Sequence, residues 1–297
     1  MNKKAFFYII LAGVLWGTSG IFVHFLAPYG FTSFQMTSIR GWVSFLCLLV
    51  YALIRNKGYF CVKPIRLLLF LGIGLSLFLT ASCYFLSMQI TSVSTAVVLM
   101  YTAPIYVMVF SVLFLREKFT KLKLVSIVCM LIGCILVSGV INDSKWNAAG
   151  ILIGILSGLA YAAYNILTKI AMRYKLEPIS VTLYSFLFMS LISLFVLEPT
   201  ELWTSISKAP AVTVPLLLSL GIVTFVLPYL LYTLAVKVLP IGISSALSIV
   251  EPMAATLFSV FLFHEPLTLY SGVGIALILC AVFLLGQTDG GKSQKQI

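Results

Sequence analysis

The run ALSIVEPMAATLFSVFLFHEPLT, Ala246 to Thr268, sets a carboxylate, Glu251, beside Pro252 in sequence otherwise free of charge from Val238 to Phe263. A charged group held at the centre of an apolar layer costs from ~3 to more than ~10 kcal/mol, so such a residue points to function before architecture. The same run has a twin. Shifted back by 148 positions, Val98 to Thr120 reads VLMYTAPIYVMVFSVLFLREKFT, with Pro104 under Pro252, Phe110-Ser111-Val112 under Phe258-Ser259-Val260, Glu117 under Glu265 and Thr120 under Thr268. From proline to the second glutamate is 13 residues in both copies.

Composition settles the class. Of 297 residues 61% are apolar and 9% charged, and the mean hydropathy is +1.13, far from what a soluble domain shows. Runs long enough to cross ~30 Å of hydrocarbon as helices are read at 5–27, 31–54, 66–88, 92–115, 122–141, 147–169, 178–197, 211–236, 241–263 and 267–286. The expected fold class is therefore an all-α integral membrane protein of ten transmembrane helices.

The net charge of +11 raises nucleic acid as a partner, and its placement argues against it. With the N-terminus inside, 16 of the 19 basic residues fall in cytoplasmic segments, from Lys3 and Lys4 to Lys292 and Lys295, while Lys145 and Lys208 fall outside and Arg40 lies within a span. The positive-inside rule then predicts both termini in the cytoplasm of a cell whose plasma membrane holds the chain. Cys47, Cys61, Cys83, Cys129, Cys134 and Cys280 show no metal or redox spacing, so neither a disulfide framework nor a metal site is expected. Lys3-Lys4 before an apolar run imitates a signal peptide, but about 23 apolar residues exceed an h-region, and the run is read as a retained first span.

The halves are related by more than the opening pair. The third and eighth spans align at the same shift, with Tyr84 under Tyr232, and at a shift of 141 the first and sixth spans match Gly13 with Gly154, Gly17 with Gly158 and His24 with Asn165. Five spans per half is odd, so the second copy must insert upside down. The loops agree, since Arg116 to Lys123 is basic whereas His264 to Ser271 has no Lys or Arg. The organisation expected is a first five-helix repeat at 1–141, an inverted second at 147–286 and a polar cytoplasmic tail at 287–297.

Residues that break the pattern are the site candidates. Pro104 and Pro252 remove backbone donors and are expected to kink their helices, freeing the carbonyls of Met100 and Ser248. Arg40, some nine residues into the second span, and Glu251, some ten into the ninth from the other side, reach similar depth and are expected to pair. Ser244, Ser248, Glu251, Ala255 and Ser259 fall on one small, polar stripe. Trp16, Tyr84, Tyr101, Tyr161, Tyr164, Asn165 and Tyr232 fall where a cavity wall would be. His24, near the outer end of the first span, reads either as a packing residue or as a proton relay. Thr120 and Thr268 stand where helix N-caps are expected, which favours a structural role for Glu117 and Glu265. Asn142-Asp143-Ser144 matches a glycosylation sequon.

Together, ten spans in two inverted fives, Trp16-Gly17 in the first span, Arg40 in the second and a proline followed 13 residues later by Glu-x-x-Thr in each half resemble the EamA-type family of the drug/metabolite transporter superfamily. The resemblance implies a secondary transporter, often an exporter of amino acids, related amines or other small metabolites, alternating between two openings of a central cavity. The substrate-binding candidates, from their own placement, are Trp16, Arg40, Tyr84, Tyr101, Tyr161, Asn165, Ser248 and Glu251. A monomer or homodimer in the bilayer, without cofactor, is expected. Two other classes are weighed against it. Gly17-Thr18-Ser19-Gly20 matches the GxSG of intramembrane serine proteases, but five residues along one helix turn Ser19 and His24 about 140° apart. A receptor or assembly subunit would call for a larger partner-binding segment than these short loops offer. No Walker-type phosphate loop is present, which leaves an existing gradient as the energy source.

Overall fold

The computed structural model describes residues 2–117, 120–140, 147–264 and 266–287. Glu265, the Asn142-Asp143-Ser144 triplet, Lys118, Lys145 and the tail beyond Gln287 lie outside the described residues. In chain order the α-helices are α1 (Lys3–Gly17), α2 (Ser19–Leu26), α3 (Ser33–Arg55), α4 (Pro64–Ile90), α5 (Val93–Met100), α6 (Ala103–Leu115), α7 (Lys121–Ser138), α8 (Ala148–Arg173), α9 (Pro178–Ser193), α10 (Pro199–Ser207), α11 (Pro210–Gly221), α12 (Leu227–Val238), α13 (Ile241–Leu247), α14 (Val250–Phe263) and α15 (Leu269–Gln287). Among the described residues nine helical stretches are long and apolar enough to cross a membrane, several of them built from two consecutive helices.

The seventh expected span is the exception. It closes at Ser193 after 16 residues, not at 197, and Glu198, which precedes Pro199 at the start of α10, lies in extended backbone, φ −97° and ψ 100°. Leu194, Phe195 and Val196 finish the turn with amide bonds to carbonyls three residues back. The α10 helix then folds onto the α2–α3 turn, with Lys208 Nζ donating to Tyr29 O at 2.9 Å.

Three spans are broken midway, and each break is locked in the same way. Thr18 Oγ1 donates to Leu15 O at 2.7 Å, Thr102 Oγ1 to Leu99 O at 2.6 Å and Ser248 Oγ to Ser245 O at 2.7 Å. Pro104 and Pro252 fall in the first turns of α6 and α14, where a missing amide hydrogen removes no helical bond. The expected kinks are thus full breaks. One correction follows for the ninth span: the Ser248 carbonyl is not freed by Pro252, because the Glu251 N–H donates to it at 3.0 Å. A fourth irregularity, a π turn at Ile222–Val226, joins α11 to α12 just before Pro228.

Thr120 and Thr268 cap as expected, accepting from the N–H of Lys123 at 3.2 Å and of Ser271 at 3.1 Å. The principal packing runs between helices from opposite halves of the chain: α4 on α8 and α9, α7 on α15, α1 on α12 and α14, and α3 on α9. Each half therefore buries its apolar surface largely against the other. Breaks in α5/α6 and α13/α14 consequently lie inside the bundle, with Ala96, Tyr101, Ala246 and Ile249 all buried.

Candidate functional site

Glu251 is the second residue of α14, directly after the break that Ser248 locks. Within a continuous helix its side chain would sit over a regular turn; here it projects from the start of a new one, only partly buried. Its polar neighbours are Tyr101 and Arg40. Tyr101, at the corresponding break between α5 and α6, is 1% exposed, and its hydroxyl turns toward the carboxylate without reaching hydrogen-bond geometry. The two breaks face each other across the interface of the halves.

Arg40 does not pair with Glu251 as the sequence suggests. Its Nη2 donates to Thr37 Oγ1 at 3.0 Å, its guanidinium lies 4.8 Å from the centre of the Phe225 ring, and its Nε is buried without a partner. Glu251 is close enough for its charge to act on Arg40, as do Tyr229 and Tyr84, but no ion pair joins them. Similar depth along two helices does not by itself make their side chains meet. A cation on an aromatic face, half satisfied by a hydroxyl one turn earlier, keeps donor capacity for a further acceptor.

The rest of the wall is aromatic. Trp16 meets Tyr229 edge-on at 5.1 Å and Tyr232 at 5.6 Å, while its indole Nε1 is buried and unpartnered. Tyr229 also touches Tyr164, Phe186 and Phe225, and Tyr161 stacks on Tyr164 at 6.1 Å. Tyr84 and Tyr161 both lie within the field of Glu251. Ring contacts and electrostatic proximity thus link Trp16, Arg40, Tyr84, Tyr101, Tyr161 and Glu251 into one buried cluster. Buried donors with nothing to donate to are rare in native folds, and two of them, Trp16 Nε1 and Arg40 Nε, belong to this group, while the Tyr101 hydroxyl has the Glu251 carboxylate before it.

Two candidates play a different part in the geometry. Asn165, fully buried, donates through Nδ2 to Tyr161 O at 2.7 Å and accepts from the Tyr232 hydroxyl, so it braces the wall. Ser248 spends its hydroxyl on Ser245 O, as described above. Removing the Tyr232 hydroxyl leaves Asn165 Oδ1 buried without a partner, which costs about 1–3 kcal/mol. Tyr232→Phe is accordingly expected to lower the melting temperature in detergent; an unchanged value would show that the bond contributes nothing.

His24 sits apart, its ring 4.2 Å from that of Phe263, in an open groove with Gly17, Gly20, Phe258 and Ser259. It makes no hydrogen bond to Ser19. Tyr229 and Phe225 are the residues that sequence reasoning missed: neither has an aromatic twin at the shift of 148, and the only local signal is Pro228. Among the described residues no three His, Cys, Asp or Glu side chains gather as a metal site would require.

Comparison with known proteins agrees with this geometry. A solved structure superposes with a TM-score of 0.78 over 96% of each chain at 16% identity, a likeness of fold. An uncharacterized transporter of Archaeoglobus fulgidus is 31% identical over 281 residues, covering 93% of this chain and 94% of its own. The uncharacterized inner membrane transporter YicL of Salmonella typhimurium is 26% identical over 96% of this chain and 95% of its own. The EamA-like transporter family matches twice, over residues 3–139 and 148–287. With apolar helices throughout, buried breaks facing one another and this family matched along nearly all its length, the chain is a multi-pass membrane protein of the EamA-like transporter family.

Proposed function

We propose that the chain is a secondary transporter that exports a small zwitterionic metabolite, an amino acid or related amine, across the plasma membrane by alternating access. The observation that carries this reading is the set of unsatisfied groups between the breaks: the Arg40 guanidinium and Glu251 carboxylate lie in one buried cluster without pairing, beside the unpartnered indole donor of Trp16. A ligand bearing both an acceptor anion and a donor cation would satisfy both ends at once. Two isolated charges in an apolar bundle are costly, and a ligand that completes them recovers part of that cost at the moment of binding.

In this reading the chain has ten spans, α9 being the short seventh, arranged as inverted repeats at 1–141 and 147–286. The matched backbone supports it. Arg116 and His264, 148 positions apart, both adopt left-handed φ angles, 55° and 56°, and close α6 and α14 by bonding their N–H groups to Ser111 O and Ser259 O, residues 148 positions apart as well. Both termini are then cytoplasmic. Cysteines placed at the exposed positions Lys57 and Lys208 are expected to react with a membrane-impermeant maleimide from opposite sides, Lys208→Cys in intact cells and Lys57→Cys only in inverted vesicles. Labelling of both from one side would overturn the topology.

Transport itself is tested by counterflow in proteoliposomes with a radiolabelled panel of amino acids and amines. At least one zwitterion is expected to exchange saturably. Exchange of purely cationic amines alone would refute the zwitterion, and exchange of none would refute the substrate class.

A further inference from the structure

Glu117 reaches from the end of one broken span to the start of the other. The α6 helix stops at Leu115, and the left-handed step at Arg116 turns the chain back, with the Glu117 N–H donating to Ser111 O at 3.0 Å. This carries the Glu117 carboxylate to the first residues of α13. There Pro240, the N-cap residue, makes no side-chain cap. Glu117 supplies it instead: Oε1 accepts from the Ile241 N–H at 2.8 Å and Oε2 from the Gly242 N–H at 3.4 Å. The matching helix α5 needs no such help, because its own N-cap Ser92 accepts from the Thr95 N–H at 3.1 Å. A cap that one half makes locally is borrowed by the other half from across the interface.

Two cations of α8 complete the arrangement. Lys169 Nζ donates to Val236 O at 2.8 Å and to Leu239 O at 2.5 Å, holding the last turn of α12. Arg173 Nη2 donates to Leu115 O at 2.8 Å, holding the last turn of α6. Carboxylate at a helix start and cations at helix ends is the pairing that the peptide dipoles favour. Behind the cluster the joint is in ordinary van der Waals contact, since a side-chain carbon at Gly242 would stand 3.5 Å from Ser111 Oγ, 3.7 Å from Glu117 Oε2 and 3.9 Å from Met108 Sδ. The α13 helix leads from this cluster through Ser244 and Ser248 to Glu251.

We propose that Glu117 is a positioning residue for transport: by capping α13 from the opposite half it holds this end of the path between the halves closed, and release of the cap opens it. The proposal rests on the alternating-access reading only in requiring that the path run between the halves. It does not depend on which substrate is carried. Glu117 acts through the α13 helix and touches no ligand.

The test reads opening directly and needs no substrate. Ser111, 1% exposed and facing Gly242, is replaced by cysteine, and vesicles oriented so that Lys57 faces the bath are treated with a membrane-impermeant maleimide. The adduct at residue 111 is followed by peptide mass spectrometry, which separates it from the six native cysteines. Adding Glu117→Ala is expected to raise the labelling rate about tenfold or more, the size expected for the loss of a charge-assisted cap. Glu117→Gln, which keeps the shape but turns an amide toward one of the two N–H groups, is expected to give a smaller rise and decides the matter if the alanine variant is not recovered in the membrane. A merely structural Glu117 would lower the melting temperature without exposing residue 111, and that outcome, or an unchanged labelling rate, overturns the proposal. A failed substrate panel would refute the zwitterion reading while leaving this result untouched.

Discussion

Glu251→Gln is expected to reduce counterflow about a hundredfold or more while the protein still folds. The substitution keeps the volume and removes the charge. Since Glu251 makes no ion pair, its loss strands no salt-bridge partner, and Arg40 keeps its bond to Thr37 and its place over Phe225. What disappears is the acceptor for a ligand cation, and a desolvated charge-assisted contact of about 2–5 kcal/mol corresponds to a loss of about 30-fold to several thousandfold, which brackets this figure. Arg40→Gln is expected to be equally severe for the opposite end of the ligand. The double substitution is the informative case. A static structural pair would be relieved when both charges are removed together, restoring much of the flux. Groups that contact the two ends of a ligand independently give no such relief, and the double variant is expected to stay inactive. Flux in Arg40→Gln/Glu251→Gln near that of the native chain would refute the site.

The features that proved legible in the sequence are those with a local cause. Pro104 and Pro252 fix where the fourth and ninth spans break, and Thr120 and Thr268 cap the helices that follow. These outcomes depend on residues within one turn of each other. The Arg40–Glu251 pairing failed because hydropathy gives height along a helix, whereas contact depends on rotation about its axis. Tyr229 and Phe225 escaped notice for a related reason. Their direction is set by the π turn at Ile222–Val226 and by Pro228, and a π turn shifts the helical phase without disturbing apolar composition. For Glu117 the sequence favours a structural interface role, but its partner could not be found from sequence, because Ile241 is 124 positions away. What links them is that Pro240 provides no cap of its own.

Gly17→Ala and Gly158→Ala are expected to lower the melting temperature by several degrees and to cut transport about tenfold or more, whereas Gly20→Ala changes neither. The three glycines differ in what a methyl group would meet. At Gly17 it would lie 2.8 Å from Ala254 Cβ, 2.9 Å from Ala255 N and 3.0 Å from Glu251 O. At Gly158 it would lie 2.7 Å from both Leu99 O and Thr102 Oγ1, and 3.3 Å from Met100 O. Nothing stands within 4 Å of the corresponding position at Gly20. At the first two sites most of the obstructing atoms are backbone, so no rotamer change relieves the overlap, and overpacking of this kind costs about 1–3 kcal/mol. Each of these glycines also lies against a break contributed by the other half, α1 against α14 and α8 against the α5–α6 junction. Pushing α1 outward at Gly17 moves the carbonyl of Glu251 itself, so transport should suffer more than stability alone accounts for. Pushing α8 outward at Gly158 strains Thr102, whose hydroxyl locks the matching break. Measured together by thermal unfolding and counterflow, a Gly17→Ala protein indistinguishable from Gly20→Ala would show that close approach at the break is not required.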